Sequence, residues 1–550
     1  MSQIKSIHWD ITKNCNLRCK HCYNAEKYFN TKSDVYMAEE MDLPQCLHTV
    51  KTFADAGFKH IHFLGGEPLA SPHIYEVIKC AKEFDMIITI NSNACLLDDN
   101  ARKLIVDLKV DQFAASLDGC SASVNDVIRG SGTFETVVSN MKLLNDLKRK
   151  TNSKLETTFV FTLTKKNIAE LKRLPSLAEE VGVDLIVLTT FIESGQGQKN
   201  RDTFNIEFSE ICEAIEETVS DELLKHPIPL QIDMRPRFCQ YLSAKYQAPI
   251  IYNMKNSLCC AGEDVWYLEA NGDIHPCLIF QLESGKKALK NGIYSKEKIN
   301  IGKSNISEIA VSKYWDTFLA VKHNFDVSKI PTCKDCRYLD ECQPCFLDYG
   351  DYSIPIAECE WTKKREILLF EIIADSKISI SSDVSFDGNN QAICLKNEPI
   401  LKLEDDISLE LWTLIQEFGN ANLIYEKMYQ DYEVAENDLK FDIASFLYLL
   451  KNNNIIKIMG AKNDMKCFKK KDNLVSEEID DEVIVFDVEN EQFYEFEGIG
   501  SFIWNRIDGN SLDNIVEAVC NEYDIDKETA LEDILSFVND LSEKAIISQG

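Results

Sequence analysis

The sequence predicts an α/β protein of several domains whose first domain is a partial (β/α)6 barrel. Its 550 residues suffice for about three to four domains, at roughly 150 residues each. Within the first 190 residues, short β-rich runs alternate six times with segments of helical periodicity, which indicates parallel strands joined by helices. Six units are fewer than the eight of a closed barrel, so we expect the barrel to be partial.

Each predicted strand is a short run rich in β-branched and aromatic residues. The six runs are Lys5–Ile11, His60–Leu64, Met86–Asn91, Gln112–Leu117, Leu155–Leu163 and Asp184–Thr190. Segments of helical period lie between them, for example Glu39–Ala56 and Thr133–Lys148. Because barrels of this kind carry their function at the carboxyl ends of the strands, we expect functional residues directly after these runs.

The charge distribution divides the chain. Its formal net charge is -31, and residues 371–550 hold 39 Asp and Glu against 15 Lys and Arg. Such acidity disfavours nucleic acid or an anionic membrane as a partner, because both are bound through basic side chains. The main boundary is expected near residues 370–385, in the polar stretch Asp375–Gln391, with the chemistry before it.

The cysteines are concentrated in the opposite part of the chain from the acidic residues. Seventeen of the 20 lie in the first 370 residues. The sequence contains no recognisable signal peptide and no run of 18 apolar residues, which predicts a cytoplasmic protein. In that reducing compartment, clustered cysteines indicate metal ligation rather than disulfides.

Three cysteines follow the first predicted strand at close spacing, as Cys15-x3-Cys19-x2-Cys22. Three thiolates on one loop can hold three irons of a 4Fe-4S cluster and leave the fourth iron open to a small molecule. The alternative is a structural zinc site, for which His21 would be a strained fourth ligand.

The ends of the next three strands also carry polar or glycine residues. Residues 65–68 (Gly-Gly-Glu-Pro) follow the second strand; the glycines allow backbone to approach a ligand, and Glu67 can accept a hydrogen bond from an ammonium group. Residues 91–93 (Asn-Ser-Asn) end the third strand, and residues 116–119 (Ser-Leu-Asp-Gly) end the fourth.

These motifs together resemble those of the radical S-adenosylmethionine (radical SAM) enzymes over about residues 4–195. The resemblance implies a partial TIM-barrel core in which Cys15, Cys19 and Cys22 ligate the 4Fe-4S cluster that cleaves SAM. It implies that Glu67, with the backbone of Gly65 and Gly66, holds the SAM amino group. The remaining residues that it implies for SAM binding are His21, Asn91, Asn93, Ser116 and Arg129, the last as partner of the SAM carboxylate.

A second group of cysteines lies between about residues 239 and 359. Cys260-x11-Gly272-x4-Cys277 predicts a hairpin that turns at Asn271-Gly272. It is followed by Cys333-x2-Cys336-x5-Cys342-x2-Cys345 and then by Cys359. Seven or eight cysteines suffice for two four-ligand clusters, and a rubredoxin-like or zinc-ribbon site is the alternative.

This segment resembles a SPASM domain, the extension that carries auxiliary clusters in radical SAM peptide-modifying enzymes. The resemblance implies one auxiliary 4Fe-4S cluster on Cys333, Cys336, Cys342 and Cys359. It implies another on Cys260, Cys277 and Cys345, with either Cys259 or Cys239 as the fourth ligand.

The last 165 residues contain an internal repeat at an offset of 91 residues, seen for example in Asp442-Ile443 and Asp533-Ile534. Each copy predicts β-rich runs, three helices and a closing strand, the outline of a small α+β winged helix. DNA binding is disfavoured because both copies are acidic. The second copy resembles the PqqD-like domains that hold a leader peptide as an added strand. An oligomerisation or packing domain is the alternative for both copies.

These features predict five segments: 1–195, the radical SAM core; 196–238, a helical linker; 239–370, the SPASM domain; 385–460, the first PqqD-like module; and 465–550, the second. The resemblance implies an oxidoreductase that uses SAM and three 4Fe-4S clusters to mature a ribosomally synthesised precursor peptide (a RiPP). Its reductant would be a flavodoxin- or ferredoxin-like protein. The expected reaction is oxidative cross-linking, through a thioether or a carbon-carbon bond, with the catalytic base not assigned.

Three alternatives remain from the sequence. A peptide epimerase would use the same radical without forming a link. An anaerobic sulfatase-maturating type of enzyme, which forms formylglycine, is disfavoured because Leu278, rather than an aspartate, follows Cys277. An iron-sulfur scaffold that binds peptides or transfers electrons would not cleave SAM.

Overall fold

The computed structural model describes residues 4–24, 40–251, 259–278, 299–346, 352–353 and 355–549; within the last range it omits 389, 397, 404, 460–467, 472, 480–481, 491, 509–511, 524, 526–529, 531–533, 535–536, 539, 542–543 and 545. The chain forms two compact units, residues 1–363 and 364–550. The division falls shortly before the polar stretch in which the sequence predicts the main boundary.

One sheet of 11 strands organises the first unit. The strands are β1 (Ser6–Thr12), β2 (His60–Gly65), β3 (Ile87–Ser92), β4 (Gln112–Ser116), β5 (Glu156–Leu163), β6 (Leu185–Thr190), β7 (Leu230–Ile232), β8 (Ile250–Ile251), β9 (Val265–Leu268), β10 (Asp273–His275) and β11 (Ile299–Asn300). Strands β1 to β6 lie side by side in chain order and are parallel, which confirms the predicted (β/α)6 core.

The sheet extends beyond the predicted core on both sides. Strands β7 and β8 continue it in parallel after β6, while β9 pairs in parallel with β1 on the other side. The predicted hairpin is confirmed as β9 and β10, which pair antiparallel, and Gly272 in its turn has a φ of 86°. The cysteine-rich segment is therefore joined to the barrel through β1, the strand that leads into the first cysteine loop.

Helices connect the strands of the first unit. They are α1 (Leu43–Asp55), α2 (Ile74–Glu83), α3 (Asp99–Asp107), α4 (Ala122–Arg129), α5 (Thr133–Thr151), α6 (Leu174–Val181), α7 (Gly195–Lys199), α8 (Arg201–Phe204), α9 (Phe208–Thr218), α10 (Pro236–Tyr246), α11 (Ile306–Ala310), α12 (Lys313–His323) and α13 (Ala357–Ile373), the last of which continues into the second unit. Helix α1 begins with a capping box between Asp42 and Gln45.

The two faces of β1 differ in chemistry. Ile7 and Trp9 are fully buried, and the Trp9 ring lies 5.8 Å from that of Phe63. The alternate residues, among them His8 and Asp10, lie on the other face because side chains alternate along a strand. This polar face continues across the sheet, where His60 hydrogen-bonds Ser6 on β1 and Thr89 on β3. The core thus has an apolar helix-facing side and a polar inner side.

The second unit contains the predicted repeat as two copies with the same order of elements. The first consists of β12 (Lys377–Ile380), β13 (Val384–Asp387), β14 (Ala392–Leu395), β15 (Glu398–Lys402), α14 (Asp406–Phe418), α15 (Ala421–Asp431), α16 (Glu436–Asn452) and β16 (Ile456–Met459). The second consists of β17 (Phe468–Lys470), β18 (Leu474–Ile479), β19 (Glu482–Asp487), β20 (Gln492–Phe496), α17 (Ile499–Ile507), α18 (Leu512–Tyr523) and β21 (Ile547–Gln549), with further helical residues between α18 and β21.

Each copy forms a three-stranded antiparallel sheet and a separate pair made by its first and last strands. Trp412 in α14 and Trp504 in α17, the first helix of each copy, are both buried. Among the described residues, none of the helices is long and apolar enough to cross a membrane.

Candidate active site

The three-cysteine loop begins where β1 ends. Glu40 fixes its first residues, because Lys13 N donates to Glu40 Oε1 at 2.6 Å and Thr12 Oγ1 lies 3.0 Å from Glu40 Oε2. The loop then carries three partly exposed thiols, those of Cys15, Cys19 and Cys22. Burial raises the pKa of Cys15 to about 11 and that of Cys22 to about 12, and the neighbouring Cys19 adds to both increases.

The glycine pair after β2 packs against this loop. Gly66 N donates to Thr12 O at 2.8 Å, and Glu67 N donates to Asn14 O at 2.7 Å. A Cβ atom on Gly66 would lie 2.2 Å from Asn14 O, and one on Gly65 would lie 2.5 Å from Thr12 O. The close backbone approach that the sequence predicts is thus an approach to the cysteine loop.

The Glu67 carboxylate is fully buried between β2 and β3. Its Oε1 accepts hydrogen bonds from Ser92 Oγ at 2.6 Å and Leu69 N at 3.1 Å, and its Oε2 accepts one from Asn93 N at 2.7 Å. Burial raises the pKa of Glu67, and the three donors oppose that shift. A carboxylate accepts about four hydrogen bonds, and the described residues supply three, so one acceptor position is left for a further donor.

Asn93 links β3 to the cysteine loop. Its Nδ2 donates to Asn16 Oδ1 at 2.8 Å and lies 3.9 Å from Cys15 Sγ, and its Oδ1 accepts from Cys95 N at 3.0 Å. Asn91 and Ser116 are half-buried. They lie on one face of the sheet, because Asn91 is in register with Ala114, two residues before Ser116.

Asp118, two residues after the end of β4, is a buried carboxylate that contacts three other segments, and sequence reasoning did not single it out. Its Oδ2 lies 2.6 Å from Arg129 Nε and 3.0 Å from His21 Nε2, and its Oδ1 accepts from Thr162 N at 2.9 Å. Burial raises the pKa of Asp118, but the positive charge of Arg129 and the contacts with His21 outweigh it and hold the pKa well below its usual range. The signal in the sequence was an aspartate at a strand end.

Arg129 and His21, both predicted to border SAM, are thus held together by Asp118. Arg129 is only 8% exposed, and its carbonyl oxygen lies 3.9 Å from Cys19 Sγ. The carbonyl of the preceding residue, Ile128, accepts a hydrogen bond from Lys20 N at 2.9 Å. The end of α4 is therefore in direct contact with the cysteine loop. A guanidinium has five N–H donors, so the ion pair of Nε leaves others for a second anion.

A short helix after β6 supports the other side of the loop, and sequence reasoning missed it. Gln196 N, in α7, donates to Cys22 O at 2.9 Å, and Asn200 Nδ2 donates to Lys20 O at 2.9 Å. A Cβ atom on Gly195 would lie 2.5 Å from Tyr23 O, so only glycine fits. The Ser-Gly-Gln-Gly run directly after a predicted strand was the available signal.

Four of the later cysteines line one pocket. They are Cys333, Cys336, Cys342 and Cys359, the set predicted to share an auxiliary cluster. Arg235 and Arg237 also line this pocket. Sequence reasoning missed both arginines, because an Arg-Pro-Arg run has no pattern that relates it to cysteines about 100 residues away.

The remaining predicted ligands lie near the β9–β10 hairpin or elsewhere in the first unit. Cys259 and Cys260 directly precede the hairpin and Cys277 follows β10; all three, like Cys345, are partly exposed. Cys239 lies inside α10, fully buried, with its Sγ 4.0 Å from Ile232 O. Within the described ranges, no three His, Cys, Asp or Glu side chains converge closely enough to hold a single metal ion.

Two parts of the chain match known families. Residues 9–174 match the family model described as the radical SAM superfamily, and residues 482–547 match that of coenzyme PQQ synthesis protein D (PqqD). The first match covers the barrel from β1 to the start of α6, with the three-cysteine loop. The second covers most of the second copy of the repeat.

Individual proteins are similar to parts of the chain. An AdoMet-dependent heme synthase of Methanosarcina barkeri is 22% identical over 63% of this chain and 93% of that protein. A mycofactocin maturase, MftC, of Mycobacterium tuberculosis is 26% identical over 35% of this chain and 46% of that protein. The crystal structure of Streptococcus suis SuiB bound to S-adenosylmethionine has a TM-score of 0.50 at 16% identity, over 65% of this chain and 77% of that one.

The contact at Gly66 predicts a specific defect. Gly66→Ala would drive a methyl group into the Asn14 carbonyl, so we expect the cysteine loop to be displaced and iron bound at the loop to fall at least tenfold. The measurement is iron and sulfide content, with the electron paramagnetic resonance (EPR) signal of the reduced protein. Gly388→Ala is the control, because a Cβ there meets nothing within 4 Å. Unchanged iron content in Gly66→Ala would contradict the role of this contact.

Proposed function

We propose that this chain, a radical SAM enzyme with a PqqD domain in its C-terminal part, modifies a ribosomally synthesised precursor peptide. The observation that carries the proposal is the union in one chain of two matched domains, a radical SAM core and a PqqD domain. A leader-binding module on a radical enzyme serves a purpose only if the substrate carries a leader.

Cys15, Cys19 and Cys22 would hold a 4Fe-4S cluster, and the chemistry of three thiolates on one loop fits that group. When bound, the cluster supplies the electron that cleaves SAM into methionine and a 5′-deoxyadenosyl radical, which takes a hydrogen atom from the peptide. The free acceptor position of Glu67 suits the SAM amino group, together with the backbone at Gly65. The guanidinium of Arg129 suits the SAM carboxylate.

The other predicted SAM contacts would orient the nucleoside. Asn91 and Ser116 lie on one face of the sheet, and Asn93 contacts the cysteine loop directly. His21 would contribute through its place on the cysteine loop, where the 3.0 Å contact between its Nε2 and Asp118 Oδ2 holds its ring. Asp118 itself would hold Arg129 in place rather than contact SAM.

Two auxiliary clusters would occupy the later cysteines. Cys333, Cys336, Cys342 and Cys359 would hold one, and their shared pocket supports this grouping. Cys260, Cys277 and Cys345 would hold the other. For its fourth ligand we favour Cys259, which adjoins Cys260 on a partly exposed loop, over Cys239, which is buried inside α10.

The second copy of the repeat would bind the leader. Its sheet is β18-β19-β20, so among the described strands β18 is an edge to which a peptide can add as a further strand. The outward face carries an apolar row: Val475 and Phe486 are paired in register, and the Phe486 and Phe493 rings stack 4.5 Å apart. Exposed acids on β18, such as Glu477, favour a basic leader.

Oxidative cross-linking of the peptide is the reaction that auxiliary clusters suit best, because the link releases an electron that needs an acceptor. The bond would be a thioether or a carbon-carbon bond. A flavodoxin- or ferredoxin-like protein would supply the electron for SAM cleavage. The cytoplasm, a reducing compartment, suits such clusters.

A reaction on a haem precursor is the second candidate. It is favoured by the similarity to the heme synthase of Methanosarcina barkeri, which extends over 93% of that protein. The PqqD domain speaks against it, since a tetrapyrrole has no leader peptide.

The substrate class is tested by coexpressing the enzyme anaerobically, in heavy water, with a short peptide encoded beside its gene. We expect the peptide to lose two hydrogens per cross-link. Gaps in its series of fragment ions should then locate the bond. The variant Cys15→Ala, Cys19→Ala, Cys22→Ala is the control and should leave the peptide unchanged. Deuterium gain without other mass change would indicate epimerisation. An untouched peptide despite SAM cleavage would contradict the proposal.

Leader recognition by the second copy predicts a charge effect. Glu477→Lys should weaken binding of a basic leader about five- to tenfold at low salt, and less at high salt because salt screens exposed charges. Fluorescence anisotropy of a labelled leader on the full-length chain measures the Kd. The control is Glu426→Lys, an exposed acid on α15 of the first copy. Equal loss in the control, or equal affinity for a charge-neutral leader, would contradict electrostatic recognition by β18.

A further inference from the structure

Two arginine side chains from the start of α10 line the pocket of Cys333, Cys336, Cys342 and Cys359. Arg235 immediately precedes α10, and Arg237 lies in the first turn of that helix. Apart from the four cysteines, these arginines are the only ionisable side chains among the described lining residues except for the phenol of Tyr338. Most of the remaining wall is apolar, including Val327, Leu339 and Ile356.

Arg237 makes direct contact with one of the cysteines. It is only 6% exposed, and its Nη1 donates to Cys336 Sγ at 3.8 Å. The buried guanidinium therefore stays next to a sulfur ligand of the expected cluster. Hydrogen bonds to sulfur are among the factors that set the reduction potential of iron-sulfur clusters.

Arg235 is held at the same pocket by Glu358, the residue before Cys359. Its backbone N donates to Glu358 Oε1 at 3.0 Å, and its Nε lies 3.3 Å from the same oxygen. Glu358 is only 5% exposed. Arg235 nevertheless lines the same pocket as the four cysteines, so its positive charge lies beside them despite this carboxylate partner.

Charges in an apolar pocket are weakly screened, so two guanidinium groups favour the state of a bound cluster with the extra electron. We propose that Arg235 and Arg237 raise the reduction potential of the cluster held by these four cysteines and make it the acceptor of the electron released in the reaction. This inference rests on the proposed function and specifies which of the two auxiliary clusters is oxidant.

The electron balance requires such an acceptor. Cross-linking joins two atoms of the peptide, each of which loses one hydrogen. One hydrogen leaves as an atom to the 5′-deoxyadenosyl radical, giving 5′-deoxyadenosine. The other leaves as a proton, which passes to water, and an electron, which reduces the oxidised 4Fe-4S cluster by one unit of charge.

The test is a redox titration followed by EPR on the full-length chain with its clusters reconstituted. Cys15, Cys19 and Cys22 are replaced by alanine throughout, so that the signals come from the auxiliary clusters alone. We expect Arg237→Gln to make reduction of one auxiliary cluster at least tenfold less favourable. A tenfold smaller equilibrium constant lowers a one-electron midpoint potential by about 59 mV. The other auxiliary signal is an internal reference and should stay in place.

Two matched variants separate direct contact from general charge. Lys334→Gln removes an exposed cation on the same cysteine loop and should change the equilibrium constant less than twofold, because water and salt screen it. Arg237→Lys keeps the charge but changes the hydrogen-bonding geometry. Its midpoint potential should therefore lie between those of the parent protein and Arg237→Gln. If Arg237→Gln binds no cluster at this pocket, the lowered midpoint of Arg237→Lys carries the test.

Three results would overturn the inference: an unchanged midpoint in the Arg237 variants, an equal shift in Lys334→Gln, or only one auxiliary signal in the parent protein. The titration contains no peptide, so it is independent of the substrate. A shifted midpoint together with an unmodified peptide would contradict the proposed function while supporting the effect of Arg237 on the cluster.

Discussion

The contact between the turn after β2 and the cysteine loop after β1 is the constraint on which the site depends. The backbone of Gly66 runs so close to Asn14 that no side chain fits, and two main-chain hydrogen bonds join the segments. Since the loop has little regular structure of its own, this contact determines where the three thiols lie relative to the barrel. The same turn carries Glu67, so the loop and the predicted SAM contacts are fixed together.

Two fully buried carboxylates extend this constraint across the sheet. Glu67 joins the end of β2 to Ser92 and Asn93, and Asp118 joins the end of β4 to Arg129 and β5. A buried carboxylate is stable only when donors and cations surround it, so each one requires its partners to hold their positions. The ends of these strands are therefore held in fixed positions relative to one another. The half-buried residues at the same strand ends, Asn91 and Ser116, are held in place with them.

The sequence predicted features whose signal is local. Six alternating runs predicted the parallel core, three cysteines on one loop predicted a cluster site, and the 91-residue offset revealed the repeated module. It did not predict contacts between distant segments. Nothing near Arg129 indicates that Asp118 will pair with it, and nothing near Arg237 points to Cys336. The pairing of β9 with β1 likewise depends on tertiary packing, since a four-residue strand carries no sign of its neighbour.

We expect the cysteine loop to hold a cluster with one iron left free for SAM. Electron-nuclear double resonance on the reduced protein, with SAM labelled by 15N in its amino group and 13C in its carboxylate, tests it directly. We expect hyperfine coupling of both labels to the cluster, and loss of both couplings in Cys19→Ala. A reduced 4Fe-4S cluster on the loop with no coupling to either label would contradict it.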